Sequence, residues 1–112
     1  MNKKEILIQV AERVSNQGVI RYRYYEEGCF CAVGHLARVC NMDMMPLIKH
    51  NSNPVVTIGE TTFKPLLDLG FTITELDILQ NVNDEYSLDL ERMEGVLNRL
   101  EEMIKECDLQ AI

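Results

Sequence analysis

A chain of 112 residues, 46% of them apolar, has room for one domain, 1–112, and is too apolar to remain disordered. A formal net charge of −7 disfavours direct binding of DNA or RNA through phosphate contacts. No apolar run approaches the length that crosses a bilayer, so no membrane partner is expected.

Residues 2–17 read as a helix, with Asn2 as cap, Glu5 at the capping-box position and Ile6, Val10 and Val14 recurring every fourth residue. Gly18 supplies a left-handed stop. Residues 19–25 change period: Ile20, Tyr22 and Tyr24 alternate with Arg21 and Arg23, which predicts a strand. Glu26-Glu27-Gly28 predicts a turn, with residues 29–31 pairing back. Residues 31–40 read as a helix with an apolar stripe of Ala32, Val33, Leu36, Ala37 and Cys40. Gly34 inside it costs about 1 kcal/mol against Ala, so a close neighbour is expected there.

Asp43 and Pro46 suit a short helix start, Asn51-Ser52-Asn53-Pro54 a loop, and residues 55–58 an edge strand or a packed loop. Thr62 is expected to cap a helix with Pro65 in its first turn and Gly70 as its stop. Thr74, with Asp77, is expected to cap the next, and Asn83-Asp84 to break it. Ser87 is expected to cap the longest helix, whose Leu90, Met93, Val96, Leu97, Leu100, Met103, Ile104 and Cys107 are the strongest periodic signal. Such a stripe packs on its own domain; as a coiled-coil seam it would fall short of three heptads. The predicted architecture is mainly α, a compact bundle of about five helices with a small β-hairpin near residues 19–33.

Charge is unevenly spread along these elements. Residues 1–59 carry seven Lys/Arg against five Asp/Glu, whereas residues 60–112 carry four against thirteen. Glu91, Glu94, Glu101, Glu102 and Glu106 fall away from the apolar stripe of the last helix. They serve solubility or form a surface for a protein partner with a basic face.

The richest chemistry lies in residues 28–36. Cys31 at a helix start would have its thiol acidity raised by the helix dipole, with His35 one turn on as a base, which would suit a thiol-dependent hydrolase or transferase. The signature runs of cysteine hydrolases are absent, and no matched nucleophile, base and orienting group can be read, so a non-enzymatic role is expected. Cys29, Cys31 and His35, with Cys40 or His50, could ligate a metal. However, C-x-C with one His lacks the paired knuckle spacing of zinc sites, and neither metal nor cofactor is expected. A small anion, such as a nucleotide, would be held by Arg21, Arg23 and the N–H groups at the Cys31 helix start. There is no secretory pattern after Met1. A cytoplasmic, reducing setting is therefore expected, with Cys29, Cys31, Cys40 and Cys107 as free thiols.

Cys31-Ala32-Val33-Gly34-His35-Leu36, then Leu69-Gly70-Phe71-Thr72, Glu75-Leu76 and Asn83-Asp84, resemble an uncharacterised family of small phage and bacterial proteins. The family pattern is approximately C-A-x-G-A-L, L-G-[FLY]-[ST], E-L and N-D. His35 departs from the usual Ala, which argues against a family-wide Cys-His pair. The resemblance implies no known activity. It implies a phage or mobile-element context in a bacterial host cell, where small acidic proteins block host factors, including defence nucleases, or sequester a nucleotide signal.

Overall fold

The computed structural model describes residues 1–110; the last two residues of the expected domain 1–112 lie outside the described residues. The chain runs α1 (Lys3–Gln17), β1 (Tyr25–Glu26), β2 (Cys29–Phe30), α2 (Ala32–Val39), α3 (Met45–Lys49), α4 (Val55–Ile58), α5 (Glu60–Leu67), α6 (Ile73–Glu85) and α7 (Asp89–Gln110). The architecture is mainly α, with a two-stranded antiparallel hairpin in which Tyr25 faces Phe30 and Glu26 faces Cys29. The bundle has seven helices among the described residues, two of them short, at residues 45–49, where Asp43 and Pro46 predict a helix start, and at residues 55–58.

α1 begins at the expected capping box: Asn2 Oδ1 accepts from Glu5 N–H at 2.9 Å, and Glu5 answers to the Asn2 N–H. Gly18 ends it with φ +74°. α6 is capped by Thr72 rather than Thr74, with Glu75 completing the box. That start leaves Phe71 and Leu76, both buried, at the two positions of a hydrophobic staple. Lys3 reaches across from α1 to the Glu75 carboxylate at 2.8 Å and fixes the junction. α5 opens at Glu60, so Pro65 lies inside it rather than in its first turn.

Of the strand expected over residues 19–25 only Tyr25 remains, as the first residue of β1. Tyr22 takes φ +69°, which breaks the extended run. The N–H groups of Tyr22, Tyr24 and Tyr25 bond to side chains instead of a neighbouring strand. Residues 55–58 are helical, and α6 runs through Asn83 and Asp84 to Glu85.

One apolar core joins the helices. Ile6, Leu7, Val10 and Val14 of α1 meet Val33, Leu36 and Ala37 of α2, Phe63 and Leu66 of α5, Leu76 and Leu79 of α6, and Val96, Leu100 and Met103 of α7. α7 packs on both α1 and α6, and the Cα radius of gyration is 12.8 Å. Among the described residues no helix is long and apolar enough to cross a membrane.

Candidate functional site

Gly34 allows α2 to lie against the chain ahead of it: a Cβ there would run into the Tyr24 carbonyl. That approach buries Cys31 at the N-cap of α2. Its Sγ accepts from Gly34 N–H at 3.3 Å and donates to Gln80 Oε1 at 3.1 Å. Burial, with Asp84 adding, pushes the thiol up to about 12 against the opposing Gly34 bond, so the group is a protonated thiol at neutral pH.

The base proposed for that thiol is engaged elsewhere. His35 is buried, with Nε2 2.9 Å from the Gly18 carbonyl and Nδ1 3.2 Å from Arg13 Nε. A carbonyl only accepts and a guanidinium only donates, so the ring is neutral with its proton on Nε2. Burial lowers its pKa and Arg13 adds to that, against the Gly18 bond. Neither ring nitrogen is left for Cys31.

The α2 N-terminus is equally closed to an anion. Ala32 N–H bonds to Asn83 Oδ1 at 2.9 Å, Gly34 N–H to the Cys31 thiol, and His35 N–H to the Cys31 carbonyl at 2.9 Å. Arg21 instead donates from Nε to the Asp84 carbonyl at 2.8 Å and stacks its guanidinium 4.4 Å from the Tyr22 ring. Arg23 is half exposed and lies 3.7 Å from Glu26. Arg21, Arg23 and Cys31 therefore do not converge on one ligand-sized space. Nor do the thiols and imidazoles gather: Cys29 is exposed, and His50 bonds to the Asn53 amide. Among the described residues no three His, Cys, Asp or Glu side chains are grouped to hold a metal.

What does converge is a polar network on α6. Gln80, Asn83 and Asp84 share one side of the helix at spacings of three and four. Asn83, fully buried, donates to the Ile20 carbonyl at 2.7 Å and accepts from Ala32. Asp84 accepts from Tyr22 N–H at 2.9 Å, from Asn83 at 3.1 Å and from Gln80 at 3.2 Å. On α7 the buried Arg92 donates to the carbonyls of Val19, Tyr86 and Ser87 and pairs with Asp89. Asn51 holds the N–H groups of Tyr24 and Tyr25 and the Tyr25 carbonyl. Residues 18–25 are thus fastened by side chains from three helices, α2, α6 and α7, and from the loop that holds Asn51. In the sequence Asn83-Asp84 reads as a turn, with a polar site as the alternative, and nothing there singles out Asn51 or Arg92. Leu76, Leu79, Gln80 and Asn83, at i, i+3, i+4 and i+7, place Gln80 and Asn83 on the continuation of the apolar stripe of α6, which was the available signal that they are buried.

Two hollows flank this segment. A cleft of about 720 Å³ opens between it and the start of α7; its charges cancel, Arg21 and Arg92 against Glu26 and Asp89. A polar hollow of about 130 Å³ lies beside Tyr22, Asn51, Asp77 and Asp84. On the far side of α7, Glu91, Glu94, Glu101, Glu102 and Glu106 are all exposed. Glu101 and Glu102 pair with Lys105 and Arg99 along the helix. Compared with known proteins, the chain matches no family model, no curated protein and no solved structure.

Proposed function

We propose that this chain is a non-enzymatic binding protein of phage type that engages a basic protein surface through the outer face of α7. Its target in this reading is a factor of a bacterial defence system, met in the cytoplasm of the host cell. The supporting observation is the row of exposed Glu91, Glu94, Glu101, Glu102 and Glu106 on the side of α7 away from the core. Such a face projects a negative field that speeds encounter with basic surfaces and repels nucleic acid. The motif resemblance favours the phage setting, and the occupied hydrogen bonds of Cys31 and His35 favour binding over thiol chemistry.

The test starts from a protein captured from bacterial lysate and purified. Its association rate should fall about tenfold between low and high salt. Glu94→Lys, Glu101→Lys and Glu102→Lys together should slow association comparably while circular dichroism stays unchanged. A captured protein whose on-rate ignores both the substitutions and the salt assigns these carboxylates to solubility alone.

A further inference from the structure

α1 and α7 lie antiparallel. Lys4 meets Asp108 at 2.6 Å at one end, and Gln17 and Gly18 face Leu90 and Met93 across the cleft at the other. On their outer side the two helices leave a groove of about 390 Å³, lined by Ile8, Ala11, Glu12, Ser15 and Asn16 of α1 and Ile104 of α7. Ile8, Ala11 and Ser15 share one face of α1 at spacings of three and four. Leu90, Met93, Leu97 and Ile104 share one face of α7 at spacings of three, four and seven. The small Ala11 and Ser15 keep the seam wide, and apolar surface stays open in it, with Ile8 40% exposed. Exposed Glu12 stands on the α1 rim, and exposed Glu94 and Glu101 on the α7 rim, where Glu101 also lies 3.5 Å from Lys105.

We propose that this α1–α7 groove is the docking site for a basic amphipathic helix of a partner protein. The inference rests on the reading of α7 as a partner-binding surface and adds an apolar anchor to it. An apolar floor between two acidic rims selects an apolar helix stripe flanked by Lys or Arg. A second copy of the chain would bring α1 and α7 acids against their own kind, which opposes self-docking.

The probe is a fluorescein-labelled synthetic helix of Leu and Lys, roughly five turns long, with every Leu on one face. Its control has the same composition with the Leu scattered. Fluorescence anisotropy should show the patterned helix binding at least about tenfold tighter than the scattered one. Ser15→Trp, which fills the groove from an exposed position, and separately Ile8→Ser should remove that advantage and leave the scattered peptide's weak binding unchanged. Glu94→Lys with Glu101→Lys should weaken both peptides. Equal binding of the two peptides overturns the groove and leaves the acidic-surface reading standing; no binding of either overturns both. An advantage that survives both Ser15→Trp and Ile8→Ser places the helix elsewhere and overturns the proposal. So does a homodimer that Ser15→Trp dissociates in sedimentation.

Discussion

His35 is a neutral imidazole wedged between the Gly18 carbonyl and the Arg13 guanidinium, with the Phe30 ring 5.2 Å away. A proton on Nδ1 would break the Arg13 bond and set two cations side by side in a buried site. Folding therefore depresses the pKa below its ordinary 6.5, and the unfolded chain takes up the proton first. Stability from this residue is complete above about pH 6.5 and is lost as pH falls from there through the lowered value of the folded state. Urea midpoints should decline between about pH 7 and pH 5, and His35→Gln, which keeps a donor and an acceptor, should flatten that decline. An identical slope in the variant would assign the acid sensitivity to other groups. Cys31 follows the same rule of burial: its position at a helix start is the one that activates thiols elsewhere, yet burial outweighs the Gly34 bond there and leaves it a protonated cap.

At the scale of elements, the buried face of α6 runs from Leu76 and Leu79 in the core to Gln80, which meets Cys31, and Asn83, which meets the 18–25 segment. Asn83→Ala would strip the Ala32 N–H and the Ile20 carbonyl of their partners at once, for a loss of about 3 kcal/mol in denaturant unfolding. The neighbouring exposed Asn81→Ala should cost within about 0.5 kcal/mol. Equal costs would show that the network carries no stability. Helices were legible because their signals are local: the Asn2–Glu5 box, the α7 stripe, and Gly34, whose expected close neighbour is the Tyr24 carbonyl. The 19–25 segment reads as a long strand because its alternation is genuine, but its side-chain partners are Asn51, Asn83, Asp84 and Arg92, from 26 to 73 residues away. Residues 55–58, four apolar or β-branched positions between Pro54 and Gly59, carry no periodicity that separates a strand from a helical turn. The site itself was half legible. Cys31 was legible as the residue at the start of α2, but its partner Gln80 has no sequence signature tying it to a thiol 49 residues earlier.

Across the whole molecule, the charge of −7 is concentrated on the helices that close the bundle, so self-repulsion works against the compact state. Raising salt from about 20 mM to about 300 mM should raise the melting temperature by a few degrees. Glu91→Gln, Glu94→Gln and Glu106→Gln, which break no ion pair among the described residues, should raise it at low salt and flatten the salt dependence. A melting temperature indifferent to salt would mean that the charges are already spaced beyond mutual influence. The fastening of residues 18–25 also bears on the order in which the protein is made. His35, Asn51, Asn83, Asp84 and Arg92 each hold a backbone group of that segment, and they are all synthesised after it. During synthesis α1 can form as it leaves the ribosome, whereas the segment behind it stays unlatched, with the Cys31 thiol uncovered, until α6 and the first turn of α7 have emerged.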